Sequence, residues 1–152
     1  MTFAAPTTIT LSTQNINGFK GSKDFLHSLC DKYPDSIRGI QEHWLSPAYK
    51  NIQGVNQLRA LHPDFDGYGS SAMKKVHEQG IRVGRPYGRT GFLYNKKFSH
   101  CLRPLIEYES DRITVMELTE GEGNILIINV YFPYYDVSKL EQQMLLYRET
   151  VG

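Results

Sequence analysis

Glu42 follows directly on a short apolar run, "SIRGIQ", with His43 and Trp44 behind it. The run has Ile37 and Ile40 around a glycine and reads as a strand, so the carboxylate stands at a strand's mouth. A hard cation wants an anionic oxygen held where the backbone is rigid, and a strand end is such a place. A lone glutamate is also commonly a solvated loop residue. From its own residues the segment leaves both readings open. A second stretch with chemical content is "KKVHEQGIRVGRPYGR", Lys74 to Arg89, which is polar, glycine-rich and basic. Lys74, Lys75, Arg82, Arg85 and Arg89 suit contact with a polyanion backbone, and equally a solvated loop.

The bulk numbers bound these readings loosely. The chain has 152 residues, 40% hydrophobic and 22% charged, enough for one modest domain with a core. Seventeen basic and sixteen acidic side chains leave a net charge of +1. That balance neither requires nor excludes a nucleic-acid partner, since a binder needs its basic residues clustered rather than in excess. Cys30 and Cys101 stand far apart and match no metal-ligand spacing, so they read as free thiols in a reducing, intracellular compartment. The N-terminus lacks the pattern of a secretory signal, and the apolar run "ILIINVYF" is too short to span a bilayer. No membrane partner is expected.

Several elements must position Glu42. Ile9, Leu11 and Thr13 alternate as a first strand, broken by "NINGF". Ser22 is placed to cap a helix that runs to Tyr33 and carries Phe25, Leu26, Leu29 and Tyr33 on one face, with Pro34 ending it. "SIRGIQ" then completes a β-α-β start. From Pro47 to Tyr68 the pattern is weak, with a helix expected near Asn51 to Leu61. Four strands follow, "GFLYN", "CLRPLIEY", "RITVMEL" and "NILIINVYF", with "EGEG" as a hairpin turn between the last two. "VSKLEQQMLLYRETV" closes the chain as an amphipathic helix with Leu140, Met144 and Tyr147 on one side. The order predicts a mixed α/β layered domain with its later strands antiparallel.

Five motifs fall in one order: "NING", "QEHWL", "GRPYGRTGFLY", "SDRI" and "NVYFP". In these the chain resembles the endonuclease/exonuclease/phosphatase superfamily, which includes DNase I and exonuclease III. Within it the resemblance is closest to the endonuclease domains of non-LTR retrotransposons. It covers nearly the whole chain, from about Ile9 to the last helix. It implies the N-terminal part of a four-layer α/β sandwich, DNase I-like and incomplete, with residues 1–152 forming one partial domain. It also implies phosphodiester hydrolysis with Mg²⁺, or Mn²⁺ in its place, on a DNA backbone, and a nuclear location if the protein serves a retroelement.

Residue by residue, the resemblance makes Glu42 the metal ligand. Asn15 matches the asparagine beside the metal and the scissile phosphate, and Asn17 a neighbouring Asn or Asp position. An amide offers donor and acceptor without adding charge, although asparagine before glycine is also ordinary turn chemistry. Tyr131 matches an active-site tyrosine, whose phenol would hydrogen-bond a phosphate oxygen; packing in the core is the alternative. His43 is a candidate phosphate contact or plain loop surface. Arg85 and Arg89 are candidate DNA-backbone contacts, and Arg112 matches a recurring arginine.

The chain also departs from the pattern. "STQ" precedes Asn15 where relatives often place a large apolar residue. Arg89-Thr90-Gly91 stands where many relatives carry paired glycines, so a positive φ there would strain Arg89. No Asp-x-Asn occurs in the chain, and "SDR" at Ser110 is not the Ser-Asp-His of the family. The expected protein is therefore the N-terminal portion of a retroelement-type endonuclease, inactive alone. A non-catalytic binding remnant and a phosphatase-type relative are the alternatives. Apolar residues of the last two strands would face water, so the chain should need its second half or associate with itself.

Overall fold

β1 (Thr10–Asn15) and β2 (Ser36–Gln41) lie parallel, joined by α1 (Phe19–Lys32), in a computed structural model that describes residues 8–45, 57–69, 89–110 and 112–132, with Met144 and Arg148 besides. The β-α-β start is as expected, but α1 begins before Ser22. The reason lies in its first amides. Gly18 N–H donates to the Glu42 carbonyl at 2.7 Å and Phe19 N–H to the His43 carbonyl at 2.9 Å. The loop after β2 thus satisfies donors that a helix start otherwise leaves orphaned. Gly18 is the cap residue, and no side chain caps the helix. Ser22 instead donates its hydroxyl to the Ile16 carbonyl at 2.5 Å. The buried face is also rotated from the expected one: Phe19, Leu26 and Cys30 are buried, whereas Phe25 and Tyr33 are exposed.

The first sheet has the order β1-β2-β4-β3, with β3 (Phe65–Gly69) and β4 (Thr90–Asn95) antiparallel to their neighbours. β3 was not legible in the sequence because two of its five residues are glycines. Gly67 has a steric cause: a Cβ there would stand 2.7 Å from the Leu58 carbonyl carbon. The helix expected near Asn51 to Leu61 falls largely outside the described residues.

The second sheet, β5-β6-β7, is antiparallel, with β5 (Leu102–Pro104), β6 (Ile113–Glu120) and β7 (Gly123–Val130). The expected strand over "CLRPLIEY" is only three residues long. Leu105 N–H still donates to the Val115 carbonyl at 2.9 Å, and the chain then leaves the sheet as Ile106–Tyr108 form a 3-10 turn. Gly121 takes φ +59 at the β6–β7 turn, a conformation glycine adopts without strain. The closing helix lies outside the described residues except for Met144 and Arg148, both helical and exposed.

Two apolar clusters set the layers. Ile40 and Leu93 face α1 with Phe19, Leu26 and Leu58, while Ile37, Phe92 and Tyr94 face the second sheet with Met116 and Leu118. Helix, sheet and sheet thus make three of the four expected layers. Cys30 is buried and Cys101 half-buried, and both are free thiols. Burial pushes the Cys30 thiol up to about 11, which suits an inert core thiol.

β6 keeps its apolar residues covered, with Val115, Met116 and Leu118 buried. β7 does not: Ile125, Leu126 and Ile128 are each more than half exposed, the last at 57%. β7 also ends its sheet and carries no charge, the features of an edge that pairs with other chains. The sedimentation coefficient of this chain should therefore rise with concentration, and Ile128→Lys should flatten that dependence. A concentration-independent monomer would show that the exposed edge is inert.

Candidate active site

The loop after β2 and the segments that flank it carry an unusual backbone. Asn17, Glu42, Trp44 and Arg89 all have positive φ, at 47°, 57°, 60° and 76°, and they are all the non-glycine residues with positive φ among those described. Such residues cost of order 1–3 kcal/mol each and persist only where their surroundings over-determine them. Here the bracing is visible on both sides. From the β1 side, Ile16 N–H donates to the Gln41 carbonyl at 3.0 Å, ahead of the Gly18 and Phe19 bonds. From the β4 side, Glu42 N–H donates to the Arg89 carbonyl at 2.8 Å. Arg89 is thus held in the conformation that glycine would adopt more readily, as the sequence suggested.

The braced loop presents Glu42 to the second sheet. Tyr131, just past β7, donates its hydroxyl to Glu42 Oε1 at 2.5 Å. Tyr131 is held in turn by Arg112. Its N–H donates to the Arg112 carbonyl at 2.9 Å, and the Arg112 guanidinium lies 5.4 Å from the ring centroid. Burial raises the Tyr131 pKa, the bond from its hydroxyl to Glu42 and the Glu42 charge raise it further, and Arg112 opposes them.

A raised folded pKa means that the neutral phenol stabilises the fold fully below the unfolded tyrosine value, about 10. That contribution disappears as pH rises through the folded value. Tyr131→Phe should therefore be less stable than the parent at neutral pH, with the gap closing above about pH 10. Urea unfolding of both proteins across that range measures it. A gap that stays constant would mean the Glu42 contact does not form.

Beneath the loop is a buried polar joint. Asn129 of β7 donates from Nδ2 to the Ile40 carbonyl at 2.9 Å and to the Gly91 carbonyl at 2.8 Å. Its Oδ1 accepts from Gln41 Nε2 at 2.5 Å, and the same Nε2 donates to Thr13 Oγ1 at 2.7 Å. One amide thereby ties β7 to β2 and β4 in the other sheet. Gly39 makes room for it, since a Cβ there would stand 3.1 Å from Asn129 Cγ. Nearby, Thr114 Oγ1 donates to Thr90 Oγ1 at 3.0 Å in the buried interior. Sequence reasoning missed Asn129 and Gln41. The available signal was a single amide inside the apolar run "ILIINV".

Asn15 ends β1 in register with Gln41, one residue short of Glu42, so Asn15, Glu42 and Tyr131 share one edge of the sandwich. Asn15 is exposed, and its Oδ1 accepts the Asn17 N–H at 3.1 Å. This is asparagine turn chemistry, and it uses the oxygen of the amide alone. Asn17 is exposed and carries the left-handed turn into Gly18. His43 corrects the expectation of a surface histidine. It is completely buried, and its Nδ1 accepts the Leu45 N–H at 2.9 Å, so it shapes the loop from inside. Arg89 is likewise buried rather than set in an open basic groove. Arg85 lies outside the described residues, as do Lys74, Lys75 and Arg82.

The donor set at Glu42 is one carboxylate with an amide and a phenol at the same edge. Among the described residues no three-ligand group of His, Cys, Asp and Glu includes Glu42. Mg²⁺ is commonly held by one or two carboxylates, with waters and substrate phosphates completing its shell, so this set fits that ion and not a zinc cage.

No protein-family model and no curated protein matches the chain. Solved structures do. An AP endonuclease from Leishmania major superposes with a TM-score of 0.63 at 13% identity, covering 99% of this chain and 53% of its own. A 3′ phosphatase from Neisseria, bound to a product DNA hairpin, gives 0.53 at 13%, covering 95% and 51%. The endonuclease domain of TRAS1, a telomere-specific non-LTR retrotransposon, gives 0.51 at 11%, covering 92% and 52%. The fold is DNase I-like. This DNase I-like chain spans about half the length of each of these three structures. No helix among its described residues is long and apolar enough to cross a membrane.

Proposed function

We propose that this chain is the metal-holding part of a phosphodiester hydrolase acting on DNA, of the retroelement endonuclease type. The observation that carries the reading is the Tyr131–Glu42 contact at 2.5 Å, which joins the two sheets at the edge where Asn15 also ends its strand. In this reading Glu42 holds Mg²⁺, or Mn²⁺ in its place. When bound, the ion supplies Lewis-acid polarisation of a phosphoryl oxygen and charge stabilisation for the leaving oxyanion. Tyr131, kept protonated, orients the carboxylate and has a hydroxyl suited to a phosphate oxygen. Asn15 offers its amide nitrogen to the same phosphate. Arg112 holds the Tyr131 ring in place.

No Asp-x-Asn or Ser-Asp-His occurs in these 152 residues, so this chain has no candidate to activate water or to act as the phosphate-site histidine. A complementary second half, continuous with the chain or separate, would supply them. Plasmid nicking by this chain with Mg²⁺ should therefore be absent or near background. Titration calorimetry should show weak Mg²⁺ binding that Glu42→Gln abolishes. Robust nicking that vanishes in Glu42→Ala would show that the second half is dispensable. Mg²⁺ binding untouched by Glu42→Gln would place the metal elsewhere and sink the proposal.

A further inference from the structure

At the opposite end of the first sheet from Glu42, three side chains converge that the proposed hydrolase does not use. His27 and Asp31 sit one helical turn apart on α1, and His62 comes from the turn that leads into β3. His62 Nε2 lies 2.7 Å from Asp31 Oδ1, and His27 Nδ1 lies 3.4 Å from Asp31 Oδ2. The two imidazole rings are 4.5 Å apart at their centroids. One ligand atom from each residue falls within 4.8 Å of the other two.

We propose that His27, Asp31 and His62 form a binding site for a borderline divalent cation of the zinc class, stapling α1 to the turn before β3. Ligand atoms at about 2.0–2.1 Å from a tetrahedral Zn²⁺ stand roughly 3.3 Å from one another, a spacing this group reaches with small side-chain shifts. Two imidazoles and one carboxylate select zinc, nickel or copper over magnesium, whose preference is oxygen. The site is anchored on one side and open on the other. His62 is 6% exposed, with its ring edge-on to Phe65 at 5.4 Å, whereas Asp31 is 63% exposed at its side chain. An ion can therefore enter from solvent against a fixed ligand, and water fills its fourth position.

Coordination would change the tautomer of His62. His62 Nδ1 accepts the Asp64 N–H at 3.0 Å, so neutral His62 carries its proton on Nε2 and gives it to Asp31. Coordination through Nε2 moves that proton to Nδ1, and the Asp64 amide must turn away. Asp64 lies in an exposed turn, where water can take over the lost bond. Binding thus carries a tautomer signature that no surface adsorption would produce.

The test uses the untagged 152-residue chain. Calorimetry with Zn²⁺ should give one saturable site, and Mg²⁺ should not compete for it. Long-range ¹H–¹⁵N spectra should show the His62 proton moving from Nε2 to Nδ1 as Zn²⁺ is added. Asp31→Asn, at an exposed position, and His27→Gln, at a half-buried one, should each weaken binding by more than about tenfold. Circular dichroism confirms that the variants remain folded. Zn²⁺ affinity unchanged in both variants, or saturation with His62 still protonated on Nε2, would overturn the assignment. Glu42→Gln leaves this site intact, so its failure and that of the Glu42 site are read separately.

Discussion

Asn129→Ala should lower the stability of this protein by about 3 kcal/mol or more, the largest single-residue loss outside the apolar core. The side chain makes three hydrogen bonds in the buried space between the sheets. Its removal leaves the Ile40 and Gly91 carbonyls without that donor and takes one acceptor from Gln41. A buried polar group stripped of its partner costs about 1–3 kcal/mol, and the partners here cannot turn to water. Asn129→Leu separates the causes. Leucine refills most of the volume but restores no bond, so an equal loss assigns the effect to hydrogen bonding rather than to a cavity. Urea unfolding of both variants gives the comparison. A change within about 0.5 kcal/mol for either would mean the joint does not hold the sheets together.

Gly18→Ala should be nearly as damaging and should report directly on the Glu42 loop. Gly18 has φ +102, outside the usual range of any residue with a Cβ. A Cβ there would also stand 2.4 Å and 2.5 Å from two atoms of the Trp44 ring. Backbone strain and overpacking each cost about 1–3 kcal/mol. Trp44 must then move, and it sits two residues from Glu42 in the same positive-φ loop. It is the only tryptophan in the protein, so emission from that ring isolates the loop. The expected result is a shifted emission maximum together with a lower melting temperature. An unchanged spectrum at unchanged stability would show that Gly18 and Trp44 do not pack as described.

The same contacts show which features were readable in advance. The β-α-β start, the antiparallel later strands and the Gly121 turn follow from local pattern: apolar spacing, a proline stop and a glycine between two apolar runs. The positive φ at Arg89 followed from the family resemblance alone, since many relatives carry glycine where this chain has Arg89. The start of α1 was misplaced because its first amides are satisfied by Glu42 and His43 carbonyls. A capping rule sees only neighbours in sequence. His43 and Arg89 were placed outside for a similar reason: polar side chains are assigned to solvent unless a partner is known.

Glu42 at a strand mouth, Asn15 as the last residue of another strand and Tyr131 after a third are visible as residues at strand ends, since strand ends are local. Their meeting is not. The Tyr131–Glu42 bond and the Asn129–Gln41 bond span 89 and 88 residues of chain. No periodicity carries information over that distance. Which side chains face each other is settled when two sheets stack, and stacking depends on the summed burial of Ile37, Phe92, Tyr94, Met116 and Leu118 rather than on any one of them. The types of side chain available for chemistry are a property of the chain. Their conversion into a braced carboxylate with a phenol against it required the sheets to close.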